Sequence, residues 1–262
     1  QLNVPLIGVI GRNNSDDDLP VLNSPQSSVT ESFRGLRADM SYLASNKEKI
    51  TILFTSSVSG EGKTFASVNM ASVYSLMGKK TLIVGLDLRK PKIAKDFGLT
   101  NDVGISTCLS VNKPWREVVK SSGFDNLDVI LSGPIPPNPA ELLLQDYFKV
   151  IMEEIKEEYE VVVLDCPPVG LVSETKELFQ YADVNFFVFR QGYSERADFA
   201  VLNNLLEKGG VRKVYAVFND VQKESGYGYG YGYGYGYGDS YGYHGQEKKS
   251  RWNKLFKSSK ND

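Results

Sequence analysis

The stretch "KITILFTSSVSGEGKT", residues 49–64, decides the fold. Its first half, residues 49–56, is a nearly continuous apolar run, which predicts a buried strand. Its second half, "SVSGEGKT" at residues 57–64, is a loop with two glycines that leads into a helix expected from about residue 63 to residue 77. A strand, a short glycine loop and a helix in this order predict one unit of an α/β fold.

Further apolar runs repeat this unit along the chain. They lie at residues 80–88, 127–132, 160–166, 184–190 and 213–219. Runs of Val, Ile, Leu and Phe without polar alternation are typical of parallel strands that helices cover on both faces. Helical spacing predicts a helix that begins at Ser28, with Glu31 in the capping-box position, and another over residues 139–157. The sequence therefore predicts an α/β fold with a mostly parallel twisted sheet between two layers of helices.

Composition excludes several classes of function. The 262 residues carry a net charge of only −2, so we expect no general affinity for polyanions and no nucleic-acid partner. The two cysteines, Cys108 and Cys166, match no CxxC spacing, and the single histidine, His244, lies near the C-terminus. A disulfide framework, a histidine-ligated metal and a Ser-His-Asp hydrolase are therefore not expected in the core.

The loop at residues 57–64 has the residues that a phosphate group requires. It fits the pattern G-x-x-x-x-G-K-[ST] except that Ser57 replaces the first glycine. Gly60 and Gly62 let backbone N–H groups turn inward, and the helix that follows adds its positive dipole end. Lys63 is expected to reach the β- and γ-phosphates, and Thr64 is expected to coordinate magnesium. The expected nucleotide contacts are Ser59, Gly60, Glu61, Gly62, Lys63, Thr64 and Phe65.

Polar residues follow three other predicted strands. Asp165 ends "VVVLDC" and Asp87 ends "TLIVGLD", where each carboxylate is expected to face the magnesium ion. A single aspartate at a strand end more often forms a turn, but two beside a phosphate-binding loop favour a metal role. Arg89 could stabilise phosphoryl charge or belong to a solvated basic turn. Asn219, with Asp220, is a candidate adenine contact at the end of the last strand.

These elements resemble the Walker A, A′ and B motifs of the bacterial tyrosine kinases that are attached to polysaccharide co-polymerases. Two more segments are specific to that family. "ESFRGLR" at residues 31–37 places Glu31, Arg34 and Arg37 in the E-x-x-R-x-x-R pattern used for subunit contacts, and "SGPIPPNPAELL" at residues 132–143 resembles its PPNPxELL segment. The resemblance spans about residues 3–245.

The resemblance implies a P-loop NTPase-type kinase domain at the cytoplasmic face of the bacterial inner membrane. It would use ATP and Mg²⁺ to phosphorylate its own C-terminal tyrosines in trans, within a ring homo-oligomer that is an octamer in the family. Capsule or exopolysaccharide assembly would be its process, with the export machinery and a phosphatase of the same pathway as partners. Its catalytic residues would be Lys63, Asp87, Asp165 and Arg89, and its magnesium contacts Thr64, Asp87 and Asp165.

The C-terminal segment supplies the expected substrate. Residues 225–246 alternate glycine with tyrosine, which predicts a disordered tail. The expected phosphate acceptors are Tyr227, Tyr229, Tyr231, Tyr233, Tyr235, Tyr237, Tyr241 and Tyr243. Residues 247–262 form a basic end, which is either solvated or bound to anionic lipid, the acidic core or the phosphorylated tail. The kinase domain is expected over residues 28–224, after an extended lead-in over residues 1–27 that a membrane region would precede.

Two positions keep other functions open. Gly85 stands where the family has the first of two aspartates in its A′ motif, so a nucleotide-binding scaffold with weak catalysis remains an alternative. Val58 stands where partition-type P-loop ATPases carry a signature lysine, which argues against that second alternative. Asp87 is retained, and the kinase interpretation depends on it.

Overall fold

An eight-stranded sheet forms the centre of the computed structural model, which describes residues 2–44, 47–172 and 175–222. In chain order the strands are β1 (Leu6–Gly11), β2 (Ile50–Ser56), β3 (Thr81–Gly85), β4 (Val119–Ser121), β5 (Leu127–Ile130), β6 (Val161–Asp165), β7 (Val184–Arg190) and β8 (Val214–Val221). Their order across the sheet is β1-β8-β7-β2-β6-β3-β5-β4, and every pair is parallel except β4 with β5. The predicted α/β fold with a mostly parallel sheet is confirmed.

Helices cover both faces of this sheet. They are α1 (Pro20–Asn23), α2 (Ser28–Leu43), α3 (Lys63–Leu76), α4 (Ile93–Asp96), α5 (Ile105–Val111), α6 (Pro139–Leu143), α7 (Asp146–Glu158), α8 (Thr175–Leu178) and α9 (Arg196–Glu207). Short 3₁₀ turns occur at Trp115–Val118 and Phe179–Tyr181. Among the described residues, each helix is too short or too polar to cross a bilayer.

The central strands are buried on both sides, which explains their continuous apolar sequence. All residues of β2, β3 and β6 are buried. Ile52 and Phe54 of β2 pack into a core cluster with α2 and α3, whereas Leu53 packs into a second cluster with α7. Alternate side chains therefore bury opposite faces of one strand, as parallel sheets between helices require.

The segment before α2 differs from the expected lead-in. The described residues up to 222 belong to one compact unit. Within this unit, β1 pairs in parallel with β8 at the sheet edge, and α1 precedes α2. β1 contains Gly8 and Gly11, which weaken the sequence signal of a strand, and only Ile10 of β1 is fully buried.

Two helix boundaries also differ from the sequence prediction. Ser27, not Ser28, caps α2, because its hydroxyl accepts a hydrogen bond from the Thr30 amide at 3.1 Å. The single helix expected over residues 139–157 is two helices, since Gln145 adopts extended backbone (ψ 145°) between α6 and α7. Neither difference changes which strands reach the candidate site.

Sheet order brings three loops together at one edge. β6 lies between β2 and β3, and Asp165 at its end pairs with Phe54 of β2 and Gly85 of β3. β7 and β8 lie on the other side of β2. Because parallel strands end at the same edge, the loop after β2 has β6 and β3 on one side and β7 and β8 on the other.

Candidate nucleotide site

Residues 57–62 link β2 to α3 in a tight curve that needs glycine. Gly60 and Gly62 have φ angles of 97° and 94°, in the left-handed region that only glycine adopts without strain. A Cβ atom on Gly62 would lie 1.9 Å from Nδ2 of Asn219. The loop therefore owes its shape both to backbone freedom and to close contact with the end of β8.

The backbone carbonyls of this curve are all held by hydrogen bonds. The acceptor–donor pairs are Ser57 O with Gly170 N, Val58 O with Ser56 Oγ, Ser59 O with Tyr193 Oη, Gly60 O with Arg190 Nη1, Glu61 O with Asn219 Nδ2, and Gly62 O with Ala66 N. In contrast, no N–H group from Ser59 to Thr64 donates a hydrogen bond to another described residue. Satisfied carbonyls and uncommitted N–H groups are what an anion-binding loop requires.

Lys63 lies in a buried cluster of opposite charges. Its Nζ is 2.9 Å from Oδ2 of Asp87 and 3.7 Å from Oδ1 of Asp165, and its side chain is 10% exposed. Burial alone would lower the lysine pKa, but attraction to Asp165 and Asp87 outweighs it and leaves the pKa raised. Lys63 is therefore a permanent cation at the start of α3, beside the uncommitted N–H groups.

One oxygen of Asp165 faces Lys63 at ion-pair distance but lacks a hydrogen bond. Its Oδ2 accepts a hydrogen bond from Thr64 Oγ1 at 2.8 Å, but its buried Oδ1 has no hydrogen-bond partner among the described residues. Burial raises the pKa of Asp165 more than Lys63 and Thr64 lower it. An orphaned carboxylate oxygen beside a hydroxyl is a hard-oxygen donor set, which fits Mg²⁺ bound through few protein ligands and substrate phosphates.

Asp87 is held in a fixed orientation and stays ionised. Its Oδ1 accepts hydrogen bonds from the amides of Arg89 at 3.3 Å and Lys90 at 2.9 Å. Burial would raise its pKa, but Lys63 and these two amides outweigh burial and lower it. The side chain of Arg89 is exposed at the rim, so the sequence prediction of a role in charge stabilisation stays open.

Glu61 braces the loop through its side chain. The carboxylate is completely buried, and Oε2 accepts a hydrogen bond from the Val58 amide at 2.9 Å. Ser194, in the loop after β7, donates its hydroxyl to Oε1. Burial raises the pKa of Glu61 despite these two hydrogen bonds. The contact expected of Glu61 can come only from its backbone, because its side chain points to β7.

Other predicted residues lie at defined places around the site. The ring of Phe65 packs against Phe33 with centroids 5.8 Å apart, which places the side chain in the core. The Asn219 amide donates to Glu61 O at 3.1 Å, so its adenine role stays a prediction. A Cβ on Gly85 would lie 2.9 Å from Ser132 Oγ, so a larger side chain at this position would require Ser132 to move.

Sequence reasoning missed the residues on the β7 side of the loop. Arg190, Tyr193 and Ser194 contact the loop, but they occur in "RQGYSE" with no motif of their own. The only signal was their position directly after a buried strand. The eight predicted phosphate acceptors in the tail lie outside the described residues.

Comparisons with known proteins agree with this geometry. A family model described as an AAA domain matches residues 49–186. The chain is 32% identical to tyrosine-protein kinase YwqD of Bacillus subtilis over 79% of this chain and 88% of YwqD, and 32% identical to the putative tyrosine-protein kinase CapB of Staphylococcus aureus over 80% of this chain and 92% of CapB. The kinase domain of Escherichia coli tyrosine kinase Etk superposes with a TM-score of 0.77 and 27% identity, covering 88% of this chain and 95% of that domain. The chain belongs to the bacterial tyrosine kinase family.

Proposed function

We propose that this chain is an ATP-dependent tyrosine kinase that phosphorylates the tyrosines of its own C-terminal tail. The observation that carries the proposal is the row of uncommitted N–H groups from Ser59 to Thr64 beside the buried Lys63, Asp87 and Asp165. Such a cradle suits the phosphates of a nucleotide, and membership in a family of tyrosine kinases supplies the acceptor class.

The reaction needs positioning and charge stabilisation more than a strong base. The phenolic oxygen of a tyrosine attacks the γ-phosphorus of ATP, the bond to the β–γ bridging oxygen breaks, and ADP leaves. Lys63 holds the β- and γ-phosphate charge in our proposal, and bound Mg²⁺ would neutralise further phosphate charge through Thr64 and Asp165. Asp87 accepts the phenolic proton late, which a carboxylate with a lowered pKa can do because the transition state is loose.

The tail sequence suits an acceptor that must enter a site on a rigid sheet. Eight tyrosines alternate with glycines over residues 227–243, and glycine imposes little conformation of its own. A glycine-rich linker of about 20 residues spans about 25 Å on average. Each phosphate adds about −1.5 to −2 charges, so successive transfers oppose re-entry of the tail into a phosphate site.

Action in trans within a ring requires a subunit contact, for which we propose α2. Arg34 pairs with Glu31 one helical turn away on the exposed surface. Arg37 lies one further turn along the same helix and is partly exposed, so a neighbouring subunit could contact both arginines. The octameric ring, the inner-membrane location, the pathway phosphatase and the link to capsule or exopolysaccharide export rest on the family resemblance alone.

One observation favours a second candidate, a nucleotide-binding scaffold with weak catalysis. Gly85 stands at the position of the first A′ aspartate, and Ser132, which donates its hydroxyl to the Gly85 carbonyl at 3.0 Å, lies against it. The site then has one carboxylate fewer than the family pattern. A partition-type ATPase is disfavoured because Val58 stands at the position of the signature lysine.

Mass spectrometry of tail peptides after incubation with Mg-ATP separates these functions. We expect phosphate on tyrosines between residues 227 and 243 in the wild-type protein and a loss of about 10²–10³-fold in initial rate in Lys63→Met. An Arg34→Ala/Arg37→Ala variant should bind ATP normally but form smaller assemblies in light scattering. Bound ATP with unmodified tyrosines would favour the scaffold, and hydrolysis of ATP without phosphotyrosine would favour the ATPase.

A further inference from the structure

We propose that Arg190 and Tyr193 are positioning residues that hold the phosphate-binding loop, residues 57–64, in its nucleotide-binding shape from outside. Arg190 is the last residue of β7 and Tyr193 lies just after it, on the side of the loop opposite to Asp87 and Asp165. The inference rests on the proposed function in one respect, because it requires that the loop binds the phosphates of ATP.

The contacts lie at the two peptides where the loop has most freedom. Tyr193 donates its hydroxyl to Ser59 O at 2.8 Å, and Arg190 donates Nη1 to Gly60 O at 3.1 Å. Gly60 has a φ angle of 97°, and a glycine can adopt several backbone conformations at small cost. A carbonyl turned inward would face phosphate oxygens with its own negative dipole. The two donors therefore favour the orientation in which the N–H groups face the anion.

Arg190 is itself held in place by the end of β8. Its Nε and Nη2 atoms each lie 3.0 Å from Oδ2 of Asp220, whereas Oδ1 of Asp220 accepts from Arg12 Nε at 2.7 Å. Asp220 adopts a left-handed φ of 59°, and its neighbour Asn219 donates to Glu61 O. Two consecutive residues of β8 thus reach the loop, one directly and one through Arg190.

A third contact fixes the segment from Arg190 to Ser194 against the loop. The hydroxyl of Ser194 accepts from the Arg190 amide at 2.8 Å and donates to the buried Glu61 carboxylate. The guanidinium of Arg190 also lies 5.5 Å from the ring centroid of Tyr193, so the two side chains support each other. The loop is therefore held at Ser59, Gly60 and Glu61 by one short segment.

Exposure separates this role from a purely structural one. Tyr193 is 48% exposed, so its hydroxyl contributes little to the core. Removal of that hydroxyl should leave folding intact but allow the Ser59 carbonyl to turn. A shift in nucleotide affinity without a shift in stability is therefore the expected signature.

The test compares Tyr193→Phe with Tyr42→Phe, a control at an 85% exposed tyrosine on α2. Calorimetric titration with Mg-ADP and with a non-hydrolysable Mg-ATP analogue gives the dissociation constants. The rate of tail phosphorylation gives kcat and the KM for ATP. In Tyr193→Phe we expect dissociation constants and KM about 3–10-fold higher, the loss of one neutral hydrogen bond, with kcat and the melting temperature of the nucleotide-free protein unchanged. Arg190→Lys should also bind nucleotide more weakly than the wild type, because one ammonium group cannot reproduce the forked contact with Asp220 and Gly60 O.

Each outcome decides between the two proposals. Wild-type affinity and KM in Tyr193→Phe, with the wild-type protein binding nucleotide normally, would overturn the positioning role and leave the proposed function intact. A lower melting temperature in Tyr193→Phe with unchanged affinity would also overturn it, since the hydroxyl would then serve the fold. Failure of the wild-type protein to bind either nucleotide would overturn the proposed function and this inference together.

Discussion

The two sides of the phosphate-binding loop are built from different interactions. On the side of β6 and β3, Lys63, Asp87 and Asp165 are buried and interact through full charges on their side chains. On the side of β7 and β8, Arg190 and Tyr193 are about half exposed and contact backbone carbonyls. The first side supplies the chemistry, and the second sets the shape of the backbone that the chemistry needs.

The energies of the two sides differ accordingly. Removing one partner from a buried ion pair costs about 3–5 kcal/mol, because the remaining charge is left buried without compensation. A neutral hydrogen bond at a half-exposed position contributes about 0.5–1.5 kcal/mol net. We therefore expect the loss of Asp87, the nearer partner of Lys63, to reduce stability severely and changes at Tyr193 to have graded effects.

The largest expected effect is that of Asp165→Asn. The amide oxygen can still accept from Thr64, but the charge that faces the metal site is lost. Phosphorylation of the tail should fall by about 10²–10³-fold, with a higher magnesium concentration at half-maximal rate. The nucleotide-free protein should be as stable as the wild type or more stable, because burial raises the pKa of Asp165 and the ionised form is costly.

A matched control is Asp183→Asn, where Asp183 pairs with Lys47 and accepts from the Thr51 amide at the opposite edge of the sheet. Burial raises the pKa of Asp183, but its contacts with Lys47 and the Thr51 amide outweigh burial and lower it. Removal of this carboxylate should therefore reduce stability without changing the magnesium dependence of the phosphorylation rate. Mass spectrometry should show a loss of rate in Asp165→Asn, and thermal unfolding should show a loss of stability in Asp183→Asn. The contrast between the two sides would fail if both variants lost stability and retained activity.

Sequence patterns revealed the charged side of the loop but not the other. Asp87 and Asp165 end apolar runs and Lys63 ends a glycine loop, and charged residues at those places have few structural explanations. Arg190 and Tyr193 act on carbonyls of residues about 130 positions away, and no local pattern encodes such a contact. The parallel sheet was predictable because β2, β3 and β6 are mostly apolar and wholly buried, whereas β1 is an edge strand interrupted by two glycines.

The next largest effect comes from glycines with the same backbone conformation and different surroundings. Gly62→Ala and Gly192→Ala both place a side chain at positive φ, 94° and 69°. The added Cβ at position 62 would lie 1.9 Å from Asn219, whereas that at position 192 meets nothing within 4 Å. Gly62→Ala should weaken ATP binding more than tenfold, since the loop must move, and Gly192→Ala should cost about 1 kcal/mol of stability with affinity nearly unchanged. Calorimetric titration of both variants measures this difference, and equal affinities would show that β8 does not constrain the loop.

The last prediction concerns stability alone and tests the excess of negative charge on the side of β6 and β3. Burial, followed by the charges of Asp18 and Asp165, raises the pKa of Asp96 from its ordinary value of 3.8 to about 7. The folded protein then keeps a proton that the unfolded chain has lost, so the contribution of Asp96 to stability falls as the pH rises from about 4 to 7. Asp96→Asn has no such titration, and its melting temperature relative to the wild type should increase from pH 5 to pH 8, by about 2–4 °C for each kcal/mol.

Asp102→Asn is the control, because the hydrogen bond from Lys120 lowers the pKa of Asp102 to about 2. The effect of Asp102→Asn on the melting temperature should therefore be constant from pH 5 to pH 8. If the difference in melting temperature between Asp96→Asn and the wild type does not change with pH, the side of β6 and β3 carries no unbalanced negative charge. The stability predicted for Asp165→Asn would then lose its basis.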